Sequence, residues 1–300
     1  MSNASIWRGV IPANTTPFKA DGNVDHDFMA QHARWMIDAG CIGIVPLGSL
    51  GEGATLTFDE KVAIVKTLVD ALGDKASVIP GIAALSTDEA VKLAKASAKA
   101  GARALMVLPP YVYSTDWREM GAHVSAIIEA TDLPCMLYNN PVAYKTDFTP
   151  EHIAELAGRY PQLQAVKESS GDARRFAGIR TLLGNRLELL VGMDDAIVEG
   201  AAMGATGWIA GLVNAFPAES VKLYQLALQG SDQAMELYRW FLPLLRLDTV
   251  PTFVQLIKLV QEKVGKGNER VRAPRLPVDG TEREYALKVI EQALANRPAI

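Results

Sequence analysis

The 300-residue chain is poor in the residues that most often carry metal, redox or thiol chemistry: it has two cysteines and four histidines. Cys41 and Cys135 lie in apolar runs, Ala-Gly-Cys-Ile-Gly and Leu-Pro-Cys-Met-Leu, where buried reduced thiols are expected rather than a disulfide. Neither has a Cys or His neighbour at metal-ligand spacing, and His26, His32, His123 and His152 are scattered, so no metal site is expected. Charge of one sign is also lacking. With 30 Lys and Arg against 34 Asp and Glu, a net charge of −4 offers no electrostatic footprint for nucleic acid or an anionic membrane. No apolar run reaches membrane-spanning length, and Met1-Ser-Asn-Ala-Ser-Ile-Trp-Arg8 lacks the apolar core of a signal peptide. The expectation is a cytoplasmic protein whose partner is a small molecule, without nucleic acid or membrane.

What the chain has instead is a regular alternation of two patterns. Short, largely apolar runs at 10–13, 42–47, 77–82, 104–108, 135–138, 164–167, 187–191 and 206–210 are each followed closely by Gly, Pro, Asn or Ser, as expected of strands buried on both faces. Amphipathic helical patterns fill 25–39, 57–72, 87–100, 116–131, 149–157, 172–183 and 194–202. Thr57-Phe-Asp-Glu60 and Ser86-Thr-Asp-Glu89 have the capping-box form, and Thr149-Pro150 puts proline at a first helical position. Helices are expected to close at Gly40, Gly73 and Gly101.

Strands separated by helices imply a parallel sheet, and eight of them imply closure. The expected fold is therefore α/β, a (β/α)8 TIM barrel over residues 1–212. Residues 213–300 carry no further strand signal. They read as a C-terminal helical extension with helices over 216–228, 231–245, 250–264 and 281–295 and a loop over 265–280.

Barrel active sites lie at the carboxyl ends of the strands. Those ends are Gly48-Ser-Leu-Gly-Glu52, Pro109-Pro-Tyr-Val-Tyr113, Tyr138-Asn-Asn-Pro141, Lys167-Glu-Ser-Ser170, Gly192-Met-Asp-Asp195 and Ile209-Ala-Gly211. They hold one amine, several phenols and hydroxyls, and glycine backbone, but no histidine, cysteine or carboxylate cluster suited to a metal. A lysine at a strand end is by itself more often a surface residue. In this company Lys167 suits imine chemistry, because burial disfavours an ammonium and a neutral amine attacks carbonyl carbon.

Asp194 and Asp195 are expected to cap the following helix, and Glu52 and Glu168 to be buried partners in the loop network. Arg174 and Arg175 are expected on the solvated outer wall. Gly204, Gly207 and Gly211 read equally as a phosphate cradle or as close packing.

The ordered set Pro12-Ala-Asn-Thr-Thr-Pro-Phe18, Gly48-Ser-Leu-Gly-Glu52, Tyr138-Asn-Asn-Pro141, Val166-Lys-Glu-Ser169 and Gly192-Met-Asp-Asp195 resembles the dihydrodipicolinate synthase/N-acetylneuraminate lyase family, nearly end to end. The resemblance implies that Lys167 forms a Schiff base, that Tyr138 shuttles protons, and that the Ser49 hydroxyl hydrogen-bonds Tyr138. It implies that backbone N–H groups around Ser49 and Leu50 hold a 2-oxo acid carboxylate, with Gly48, Gly192 and Ile209 lining the pocket. It also implies a homotetramer and no organic cofactor.

Three positions depart from the family. Leu50 replaces a second loop hydroxyl, and Val112 stands where a neighbouring subunit lends a tyrosine, leaving Tyr111 or Tyr113 as substitutes. Ala143 stands where the synthase has the arginine for a second carboxylate, which disfavours dihydrodipicolinate synthesis.

Tyr138-Asn-Asn-Pro141 with Tyr144 and Asp147 is most similar to the branch that deaminates 1-pyrroline-4-hydroxy-2-carboxylate to 2,5-dioxopentanoate and ammonia in hydroxyproline breakdown. The alternatives are a pyruvate-dependent aldolase or dehydratase of a 2-keto-3-deoxy sugar acid, and a 2-oxo acid-binding barrel without turnover.

Overall fold

A computed structural model of the chain describes residues 5–110 and 116–300. Its parallel strands are β1 (Val10–Pro12), β2 (Gly43–Ile44), β3 (Ser77–Val78), β4 (Gly81–Ile82), β5 (Leu105–Val107), β6 (Cys135–Asn139), β7 (Leu163–Glu168), β8 (Glu188–Val191) and β9 (Gly207–Ala210). Seven of them form one curled sheet in the order β1-β9-β8-β7-β6-β5-β4, and β2 pairs with β3.

Hydrogen bonds join the two sheets into a ring. The Val45 N–H donates to Pro12 O at 2.8 Å, and the Asn14 N–H to Val45 O at 2.9 Å. The run expected as one strand at 77–82 is two, because Pro80 has no N–H for the ladder. The ring continues past it: the Gly81 N–H bonds Pro46 O at 2.8 Å, and Pro80 O accepts the Met106 N–H at 3.0 Å.

The period of two along each strand sorts side chains into two shells. Ile11, Val45, Ile79, Met106, Met136, Ala165, Leu190 and Ile209 fill the inside of the ring. Val10, Ile44, Leu105, Leu137, Val166 and Leu189 point outward into a larger core shared with the helices. Lys167 follows Ala165 by two and Tyr138 follows Met136 by two, so both continue the inner face.

The helices around the ring are α1 (His26–Asp38), α2 (Phe58–Leu72), α3 (Thr87–Lys99), α4 (Trp117–Ile128), α5 (Pro141–Tyr144), α6 (Pro150–Arg159), α7 (Arg174–Leu183) and α8 (Ile197–Ala202). The capping box at Thr57 forms with both bonds, Glu60 N–H to Thr57 Oγ1 and Thr57 N–H to Glu60 Oε2. The tail consists of α9 (Pro217–Leu228), α10 (Asp232–Leu245), α11 (Phe253–Lys263) and α12 (Gly280–Ala295). Its residues Leu223, Phe241, Ile257 and Ile290 join the same outer core.

Two differences from the expected elements bear on the site. The four-residue α5 carries Tyr144 and has no period to detect in the sequence. The helix expected from 250 begins at Phe253, after a turn that lies over the ring. Among the described residues, no helix is long and apolar enough to cross a membrane.

Candidate active site

Pairing register sets the centre of the site. On β6 and β7, Tyr138 is the partner of Lys167, and Lys167 Nζ lies 4.2 Å from the centroid of the Tyr138 ring. Both are buried, with Lys167 6 % and Tyr138 5 % exposed. They open into a cavity of about 450 Å³ that Gly48, Ser49, Leu50, Gly192 and Ile209 also line. Thus the expected residues do converge. Tyr111 and Tyr113 lie outside the described residues.

Gly192, just past β8, is required by close approach. A Cβ there would overlap Ser169 Oγ and come within 2.8 Å of Lys167 Cε. Only glycine leaves the lysine stem its path along the inner wall.

The loop after β2 is a strained turn. Leu47 and Glu52 flank it with φ of 66° and 53°, unusual for residues with a Cβ. The Glu52 N–H closes back on Ser49 O at 3.1 Å and the Gly53 N–H on Gly48 O at 3.2 Å. Among the described residues, no acceptor takes the Ser49 or Leu50 N–H. The turn thus leaves two backbone donors without an acceptor among the described residues, on residues that line the cavity, and such donors suit a carboxylate. The Leu50 side chain itself packs into the outer core.

Glu52 anchors this turn from below. Its Oε1 pairs with Lys258 Nζ of α11 at 2.5 Å and its Oε2 accepts the Arg272 N–H at 3.0 Å. Burial pushes the Lys258 amine down to about 8, against the pull of Glu52. The expectation that Glu52 is a buried partner holds, and its partners come from the tail.

Tyr138-Asn-Asn-Pro141 divides its work. The Tyr138 hydroxyl accepts from Asn140 Nδ2 at 2.9 Å, while Asn140 Oδ1 accepts the Ala143 N–H at 2.9 Å and so caps α5. Pro141 supplies the first helical residue. The helix brings Tyr144 back over the site, its ring edge-on to Tyr138 with centroids 5.8 Å apart. The hydroxyl of Ser49 bonds Tyr144, not Tyr138 as expected, because α5 places the Tyr144 phenol between loop and strand.

Asn139 points outward and ties the base of the site. Its Nδ2 donates to Glu168 Oε2 at 3.0 Å and to Asp147 Oδ1 at 3.1 Å. Burial raises the Glu168 carboxyl above its ordinary range, opposed by hydrogen bonds from Asn139 and Ser170. Arg175 belongs to this network rather than to the solvated wall: both its terminal nitrogens reach Asp147, at 2.7 and 2.6 Å. Burial would raise Asp147, but the Arg175 guanidinium and the Asn139 amide hold it below the usual range. Arg174 is exposed, as expected, and pairs with Asp172.

The two aspartates after β8 do not cap the next helix. Asp194 is buried and its carboxylate accepts the N–H groups of Gly211, at 2.9 and 3.1 Å, and Leu212, at 2.7 Å. Asp195 faces Arg246 of the tail. With the Gly211 N–H taken in this way, the phosphate-cradle reading of Gly204, Gly207 and Gly211 fails. Close packing explains the last two, since a Cβ on Gly207 would overlap Trp7 O and one on Gly211 would overlap Asp248 Oδ1.

Asp248, Thr249, Pro251, Phe253 and Arg275, all from the tail, complete the cavity wall. No motif marked them, because their place depends on how the tail crosses the ring. Cys41 and Cys135 are free and buried, and burial pushes both thiols up to about 12. Among the described residues, no group of three or more His, Cys, Asp or Glu is placed to hold a metal ion.

The family described as the dihydrodipicolinate synthetase family matches residues 6–293. The chain belongs to this family. It is 33% identical over 272 residues to the 4-hydroxy-tetrahydrodipicolinate synthase of Rhizobium meliloti (strain 1021), covering 90% of this chain and 92% of that one. A putative dihydrodipicolinate synthetase from Pseudomonas aeruginosa has a solved structure that superposes with a TM-score of 0.90 at 31% identity, over 95% of this chain and 99% of that one. A monomeric dihydrodipicolinate synthase variant superposes at 0.89 with 26% identity, over 96% and 97% of the two chains, so one family member of this fold is not a tetramer. Membership in the dihydrodipicolinate synthetase family makes the chain an α/β-barrel lyase for a small-molecule substrate.

Proposed function

We propose that the protein is a Schiff-base lyase of small 2-oxo acids or cyclic imino acids, with Lys167 as nucleophile. The observation that carries this reading is Lys167 Nζ beside the Tyr138 ring, in a cavity also lined by Ser49 and Leu50, whose N–H groups have no acceptor among the described residues. A 2-oxo or 2-imino acid held by its carboxylate on those donors presents its neighbouring carbon to Lys167. The amine adds there and the iminium that results acidifies the adjacent C–H. Tyr138, Ser49 and Tyr144 supply the phenol and hydroxyl groups that move protons around it. No step calls for a metal or an organic cofactor.

The finer reading is deamination of 1-pyrroline-4-hydroxy-2-carboxylate. Lys167 adds to the ring C=N carbon and opens the ring by amine exchange. A C3 proton leaves to the phenol, the C4 hydroxyl departs as water, and tautomerisation moves an imine to C5. Water hydrolyses that imine and releases ammonia, and hydrolysis of the Lys167 imine then frees 2,5-dioxopentanoate and the amine. Ala143, where the synthase has its arginine for a second carboxylate, supports a substrate with one carboxylate. Dihydrodipicolinate synthesis is the second reading, favoured by the name of the R. meliloti relative and by Arg275, a cation at the cavity wall.

Borohydride reduction with pyruvate, followed by peptide mass mapping, tests the shared step; absence of an adduct on Lys167 overturns every Schiff-base reading, including the two above. Turnover of the pyrroline, coupled to an aldehyde dehydrogenase, is the expected result for the finer one. Turnover of pyruvate with aspartate semialdehyde but not of the pyrroline replaces it with the synthase reading.

A further inference from the structure

Asp248 lines the cavity from the tail, yet nothing in the proposed imine chemistry uses it. Its Oδ1 is buried and has no hydrogen-bond partner among the described residues, an expensive state for a carboxylate. The side chain packs against the backbone of Gly211, where a Cβ would overlap Oδ1. Beside it stands Asp194, whose two oxygens already accept the Gly211 and Leu212 N–H groups. Those backbone donors favour the anion on Asp194, and the bare Oδ1 favours the neutral acid on Asp248. Burial and the Asp194 carboxylate accordingly push Asp248 well above the usual carboxylate range, with Lys167 opposing. For Asp194, burial raises the carboxyl to about 6 against the same N–H groups and Lys167.

We propose that Asp248 is the acid of this site: it donates a hydrogen bond to an oxygen substituent that the substrate carries beyond the iminium carbon, and protonates that oxygen when it leaves as water. The inference rests on the Schiff-base reading and deepens it. In the step, the Asp248 O–H bond and the substrate C–O bond break, and the proton joins the departing hydroxyl. Water leaves with the electrons of the C–O bond, and the enamine pair on the Lys167 adduct forms the new C=C bond. The Asp248 carboxylate then regains a proton from solvent.

A matched pair of probes tests the contact without requiring turnover: 4-hydroxy-2-oxobutanoate and 2-oxobutanoate, trapped on Lys167 by borohydride. The hydroxylated probe is expected to half-saturate trapping at about tenfold lower concentration in the wild type. Asp248→Ala should erase that preference, so that the two probes half-saturate trapping at the same concentration within the variant. A preference retained in Asp248→Ala, or absent from the wild type, overturns the proposal. Failure to trap either probe in the wild type instead overturns the Schiff-base reading itself, and the proposal with it.

Asp248→Asn keeps the shape of the side chain and its ability to donate a hydrogen bond, and guards against misfolding of the alanine variant. It should retain the preference in trapping while water-releasing turnover of the 4-hydroxylated substrate falls about 10²-fold or more. Undiminished turnover in this variant, or no water-releasing turnover in the wild type, overturns the proton transfer.

Discussion

Asn140 does two jobs with one amide, holding the Tyr138 hydroxyl through Nδ2 and the α5 N-terminus through Oδ1. The consequence is that two phenols and one serine are positioned by a seven-residue stretch, Tyr138–Tyr144, and one loop. Tyr144, bonded to Ser49, stands beside Tyr138 from within the same chain. Tyr144→Phe is expected to lower turnover about 10²-fold while borohydride trapping on Lys167 persists, since proton transfer is lost and amine addition is not. Steady-state rates measured alongside trapping check this, and full activity would remove Tyr144 from the relay. Lys167, Tyr138 and Ser49 were legible in the sequence because each ends or follows an apolar strand run. Tyr144 was not: a four-residue helix leaves no period, and the Ser49 contact spans nearly 100 residues of chain.

At the scale of elements, the capping signals at Thr57, Ser86 and Thr149 formed as the local chemistry dictates, each side chain accepting the N–H three residues on. Local signals reach only a turn or so, and there they decide. The strand at 77–82 kept its place but split at Pro80, a local effect the apolar pattern concealed. By contrast, α11 serves the site through a distant partner, with Lys258 buried against Glu52 under the strained loop. Lys258→Met is expected to destabilise the fold by about 3–5 kcal/mol, because it strands the Glu52 charge in the interior. Urea unfolding of the variant measures this; a loss under about 1 kcal/mol would mean that the Arg272 N–H and Arg275 suffice for Glu52.

For the molecule as a whole, the two-shell barrel buries some groups that must stay neutral. Burial pushes the His32 imidazole down to about 4, although Asn214 O lies 2.8 Å from its Nε2 and favours the N–H form. Between pH 6.5 and 4 the unfolded chain binds a proton that the folded one refuses, so stability falls as pH drops through that window. The loss is on the order of 3 kcal/mol. His32→Asn should flatten this slope, read as the difference in urea midpoint between pH 7 and pH 4.5; an unchanged slope would assign the acid sensitivity elsewhere. Strand and helix periods, turn residues and the ordered strand-end motifs were enough to determine the α/β architecture and to put Lys167, Tyr138 and Ser49 at strand ends that line one cavity, because these are short-range properties repeated along the chain. Only the tertiary structure decided that Ser49 meets Tyr144, that Arg175 ties Asp147, and that Asp248 and Arg275 of the tail wall the cavity. The first two contacts depend on how α5 and α7 lie over the strand ends and the last on how the helical tail crosses the ring, and no local pattern encodes that geometry.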